Sequence, residues 1–210
     1  GTGYIWTVPS SADANILALK VVNGAVTQKL AFDVSSYINV TGVGVDNIIQ
    51  FYDTKNVTSY KCMLQMRGIG IYDITLNLNT QKVVSCNKIT DSNSNCMSLA
   101  ANIFTLQGHK FVVRNTRRIG SSAGAKNLCT EFEVLDITDS YTAPVSYGAR
   151  DPFPNASVGA STGSYIQTYV SGNVAKIYAY VMGGGVACYS FTATPKPVPV
   201  TNLNVTLVED

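Results

Sequence analysis

Four seven-residue segments of this chain follow one pattern, and that repetition constrains the fold more than any other feature. They are "ILALKVV" (16–22), "IGIYDIT" (69–75), "FEVLDIT" (132–138) and "VACYSFT" (186–192). The first position is apolar in each (Ile16, Ile69, Phe132, Val186), and the third is apolar or small (Ala18, Ile71, Val134, Cys188). The fourth is large and apolar (Leu19, Tyr72, Leu135, Tyr189), and the fifth is polar (Lys20, Asp73, Asp136, Ser190). The sixth is again apolar (Val21, Ile74, Ile137, Phe191), and the last is β-branched. The starts lie 53, 63 and 54 residues apart. Alternation of this kind suits a half-buried β-strand.

The flanks repeat too. A strand-like run precedes each copy ("GYIWTV", "YKCMLQM", "KFVVRN", "AKIYAYV"). Another follows it ("AVTQKLAFDV", "NTQKVVSC", "TAPVSYG", "PVPVTNLNVTL"), and three copies have an earlier one ("NIIQFYD", "NIFTLQG", "SYIQTYV"). Helical periodicity is nearly absent. The best helical candidate, "NCMSLAANIFTLQG", turns into strand alternation by Ile103. A unit of about fifty residues with four strands predicts an all-β, β-propeller-like fold with four blades of four antiparallel strands, because such a unit buries its faces only by stacking. The blades are 1–40, 41–92, 93–152 and 153–210, in one domain, and the first lacks its opening strand. A β-sandwich or jelly roll is the alternative arrangement of the same short strands.

The segments "RGIGIYDIT", "FEVLDITDSYTAPVSYG" and "GGGVACYSFTATPKPVPV" resemble the LVIVD type of surface-exposed β-propeller repeat: a motif strand ending in Asp and Ser/Thr, then a Pro-containing turn into a last strand. "GYIWTVPSSADANILALKVVNGAVTQKL" is more similar to the lactonase-like seven-bladed propellers. The resemblance covers most of the chain. It implies a propeller of seven or eight blades, where this chain offers four. Three outcomes follow: closure as a small propeller with "TNLNVTLVED" or "GTGYIWTV" completing a shared blade, membership of a larger propeller, or assembly of copies through terminal strands.

Composition narrows the setting. Only 13% of residues are charged and the net charge is +2, against an average near ~25% charged, which gives no basis for nucleic-acid binding. The densest basic run, "HKFVVRNTRR", reads as a solvated strand end and loop in preference to an anion or glycan patch. Of the five cysteines, Cys86 and Cys96 flank "CNKITDSNSNC", a spacing that suits a disulfide closing a surface loop. Pairing of Cys62, Cys129 and Cys188 stays open. No CxxC exists, so zinc-ribbon and thioredoxin readings fail. Sequons place N-glycan acceptors at Asn39, Asn56, Asn155 and Asn204. With no initiator Met, signal peptide or long apolar run, the chain reads as a mature or trimmed one, extracellular or at the cell surface.

Candidate chemistry is sparse. "GASTG" places Ser161 in a nucleophile-elbow pattern, but loop and strand flank it and the sole histidine is His109. One histidine does not build a His-rich metal site. Asp73 and Asp136 occupy equivalent positions. They read as turn-capping structural groups, since Lys20 and Ser190 replace them in the other copies, though as a pair they could bind a cation or act as acid and base. "VMGGGVA" reads as a hairpin turn, and "DSNSN" lacks calcium-loop spacing. Tyr72 and Tyr189 read as packing residues and not as glycan platforms. No cofactor is expected. The expected role is non-enzymatic: structural, adhesive or ligand-binding, with a protein or glycan partner. The alternatives are a filament or matrix subunit built from copies of itself, and a lactonase-like hydrolase.

Overall fold

A computed structural model describes residues 1–41, 47–66, 69–89, 100–115, 132–150, 164–181 and 184–193. They form four antiparallel sheets, each a simple meander in chain order. The first holds β1 (Thr2–Thr7), β2 (Asn15–Val22) and β3 (Ala25–Asp33). The second holds β4 (Ile48–Asp53), β5 (Tyr60–Met66), β6 (Gly70–Asn77) and β7 (Lys82–Ile89). The third holds β8 (Ala101–Leu106), β9 (His109–Asn115), β10 (Phe132–Asp136) and β11 (Val145–Arg150). The fourth holds β12 (Ser164–Ser171), β13 (Val174–Val181) and β14 (Gly185–Phe191). Each repeated segment lies on or overlaps β2, β6, β10 or β14. The helical candidate before Ile103 is a strand where it is described, β8. Its β-branched and aromatic alternation prevails because both faces of β8 meet other sheets.

Tight turns follow the sequence chemistry. Asn23-Gly24 and Gln107-Gly108 take φ of 50° and 84°, and of 52° and 81°. These are the left-handed values that two-residue hairpins require, and glycine supplies them without strain.

Three apolar layers separate the four sheets. Ile16, Ala18, Leu30 and Phe32 of the first sheet pack against Cys62, Leu64, Tyr72 and Ile74 of the second. The other face of the second sheet gives Met63 and Ile71 to a layer shared with Ile103, Val112 and Leu135 of the third. The opposite face of the third gives Phe104, Phe111, Phe132 and Val134 to a layer with Ile166, Ile177, Ala179 and Tyr189 of the fourth. The second and third sheets are therefore buried on both faces, and the buried run at the end of β5 and of β9 is unbroken. By contrast β13 alternates strictly between buried and exposed residues. No core cluster joins the first sheet to the fourth among the described residues.

Orientation repeats as well. The third motif position faces the next sheet in the series: Ala18, Ile71 and Val134 all do so. The fourth and sixth face the preceding one, as Tyr72 and Ile74, Leu135 and Ile137, and Tyr189 and Phe191 show.

The register places Cys62, Ile74 and Cys86 in one row across β5, β6 and β7. Two strand spacings separate the thiols, about 9–10 Å between backbones, too far for a disulfide. Cys86 does not sit at the mouth of its loop, since β7 runs on to Ile89. Its thiol is free, and Cys96 lies outside the described residues. Burial first, then the Asp73 charge, pushes the Cys86 thiol up to about 12. Burial likewise raises the Cys62 thiol. Cys188 is free and exposed. Alkylation of dilute protein at neutral pH is therefore expected to modify Cys188 and spare Cys62 and Cys86 until denaturant is added. Peptide mapping by mass spectrometry checks this, and a disulfide-linked or rapidly alkylated Cys86 would refute it.

Candidate functional site

The first strands of the second, third and fourth sheets converge. β12 has an open edge, so its backbone needs partners from outside its ladder. The Ile166 carbonyl finds two: the Gln50 side-chain amide donates at 3.0 Å and that of Asn102 at 3.3 Å. Thr168 Oγ1 in turn donates to Asn102 Oδ1 at 3.2 Å. One carbonyl thus ties β4, β8 and β12 together. Beside it lies a cleft of about 570 Å³, lined by these strands with Gln50, Asn102, Thr105, Gln167 and several tyrosines and without a charged residue. The Gln50 Oε1 atom is buried and has no hydrogen-bond partner among the described residues.

A second constellation lies between the second and third sheets. Asp73 is buried and accepts three hydrogen bonds: Tyr52 Oη at 2.5 Å, Tyr141 Oη at 2.6 Å and Lys110 Nζ at 2.7 Å. Lys110 also donates to Tyr141 Oη at 3.0 Å and sits over both phenol rings. The stretch after β10 brings Tyr141 into place: the Asp136 carboxylate accepts from Thr138 N, and Ser140 Oγ accepts from Thr142 N and Ala143 N. Burial would lower the Lys110 ammonium, but its hydrogen bonds to Asp73 and Tyr141 and the Asp73 charge outweigh that and hold it above its ordinary value. Burial, reinforced by Asp73, raises the Tyr52 and Tyr141 phenols. At neutral pH all three partners stay in donor form, turned onto the Asp73 carboxylate.

Asp136 stands on the other face of the third sheet. His109 Nδ1 lies 3.0 Å from its Oδ2, and Thr138 N donates to its Oδ1 at 2.9 Å. Desolvation opposes these contacts, yet the Thr138 and His109 hydrogen bonds prevail and lower the Asp136 carboxyl. Asp73 and Asp136 therefore face different inter-sheet layers and do not form a carboxylate pair. Asp136 keeps the turn-capping role that its position suggests, whereas Asp73 is an inter-sheet anchor. Ser161 lies outside the described residues. Among the described residues, Asp136 is the hydrogen-bond partner of His109, and none of the groupings of His, Cys, Asp or Glu could hold a metal ion.

The basic run divides. Lys110 serves Asp73, and Arg114 is buried and paired with Glu133 at 2.8 Å. Both point inward, so this part of the run is no surface patch; Arg117 and Arg118 lie outside the described residues. Asn39 and Asn56 are exposed, and each side chain accepts from the backbone N of the residue two on, Thr41 and Thr58, both at 3.0 Å. Asn155 and Asn204 lie outside the described residues. Sequence reasoning missed Tyr52, Tyr141, Gln50 and Asn102. The available signal was a polar residue at a strand position whose neighbours read as buried.

Removing the Asp73 carboxylate leaves Lys110 and two phenols facing one another. Asp73→Ala should lose roughly 3 kcal/mol of stability, measured by urea denaturation, and a change near zero would refute the anchor. For Asp136 the folded pKa lies below the unfolded one, so its stabilisation is full above the ordinary carboxyl range and fades as pH falls through the folded value. Asp136→Asn should therefore flatten the acid limb of the Tm-versus-pH curve while lowering Tm at neutral pH; an unchanged acid limb would count against it.

Among the described residues no helix is long and apolar enough to cross a membrane. A scan against protein-family models finds no match for this chain, and a search of curated proteins finds none either.

Proposed function

We propose that the four sheets are blades of a β-propeller, or of an arc of one, related to the LVIVD-type repeats, and that the protein works outside the cell or on its surface as a non-enzymatic binding module. Sheets stacked face to face in chain order, with their first strands converging, support the propeller reading. The convergence cleft is the binding site in this reading. The observation that carries it is the lining: amides, hydroxyls and phenols interspersed with apolar side chains and without a charge, and one buried amide oxygen without a partner among the described residues. Pockets of this make-up suit a neutral, polyhydroxylated ligand such as a saccharide, with phenol faces for its C–H surfaces and amides for its hydroxyls. The ionisable groups nearby serve packing, which argues against the hydrolase alternative.

Isothermal titration against a panel of neutral and acidic oligosaccharides tests the proposal. Binding of a neutral member is expected, weakened about fivefold in Gln167→Ala or Thr105→Ala, since loss of one hydrogen bond is worth about 1 kcal/mol. A panel in which nothing binds, or in which only acidic sugars bind, would sink it.

A further inference from the structure

We infer that the open face of the fourth sheet binds the open face of the first sheet of a second copy, so that copies join head to tail. The three internal layers obey one rule: a forward face, carrying the third motif position, meets a backward face carrying the fourth and sixth. The fourth sheet has a forward face with no described sheet in front of it. Cross-strand rows put Tyr165, Tyr180 and Val186 side by side there, then Gln167, Tyr178 and Cys188. Tyr178 and Tyr180 are each 43% exposed and Val186 72%. The first sheet has the complementary backward face, where Ile5 stands beside Leu19, and Val21 beside Val26. Ile5 is 56% exposed and Val26 59%.

Isolated exposed apolar residues are ordinary, but two aligned faces of opposite kind are not. The forward face carries no carboxylate and a single lysine, Lys176, in its rows; the backward face has a single lysine, Lys29, and one carboxylate, Asp33, beside Asn15 at its far end. Forward against backward is a heterologous contact, so it propagates into a ring or a filament and does not stop at a symmetric dimer. The occupant is a second copy because the chain already stacks such faces three times by the same rule. This contact uses sheet faces and leaves the strand edges free, unlike exchange of terminal strands.

Light scattering after size exclusion, from low to high micromolar protein, should show oligomers that grow with concentration. Tyr178→Glu/Val186→Glu, which blocks the forward face, should be monomeric, as should Ile5→Glu/Val26→Glu, which blocks the backward face. Mixing the two should give a heterodimer and nothing larger, because one intact face of each kind remains. These side chains lie opposite the core, and β-sheet circular dichroism checks that folding is kept; Tyr178→Ser and Ile5→Thr read the same faces if a glutamate variant unfolds. A wild-type chain that stays monomeric throughout, variants that still assemble, or a mixture that stays monomeric would each overturn the inference.

Discussion

The rest of the structure depends on sheets that are apolar on both faces. β5 and β9 end in unbroken buried runs, with Cys62, Leu64 and Met66 pointing one way from β5 and Met63 the other. A sheet of that kind stays in water only if a further sheet covers each side. The second sheet thus requires the first and the third, and the third requires the second and the fourth. Stacking is imposed by the middle of the chain, and its ends inherit the consequence: the first and fourth sheets each keep one covered and one open face.

Inside such a stack every polar group must find a partner locally, since water is excluded. The chain answers in two ways. Between the second and third sheets it gathers a carboxylate, an ammonium and two phenols into one cluster, so that Asp73 and Lys110 neutralise each other and Tyr52 and Tyr141 satisfy what remains. At the converging first strands it uses uncharged amides, with Gln50 and Asn102 sharing one carbonyl of β12. The first arrangement turns its donors onto one carboxylate. The second leaves an amide oxygen without a partner among the described residues, beside an open, neutral cleft.

The strands themselves were legible because their signal is local. Alternation with period two in "FEVLDIT", and Asn-Gly between two such runs, follow from backbone pleat and turn stereochemistry, and β10 and the β2–β3 turn form as those rules require. The equivalence of Asp73 and Asp136 was legible too, but not their separate fates. Partners decide those: Lys110 and Tyr141 reach Asp73 from another sheet, while His109 reaches Asp136 from the neighbouring strand. The spacing of Cys86 and Cys96 suggested a loop closure because spacing carries no information about where a strand ends. β7 continues past Cys86 and turns its thiol onto the core.

By itself, the sequence determined an all-β chain, strand runs that recur in four units, and the residues that alternate into apolar layers, since each depends only on near neighbours along the chain; it called for four strands in each unit but the first, and the described residues show four in the second and third and three in the fourth. Tertiary structure alone decided which face of each sheet meets which neighbour, that Gln50, Asn102 and Ile166 come together, and that the outer faces of the first and fourth sheets stay open. These depend on contacts between residues that are distant in sequence, such as the 116 positions between Gln50 and Ile166. No local pattern encodes them, because burial and hydrogen bonding across sheets select among arrangements that are equivalent strand by strand.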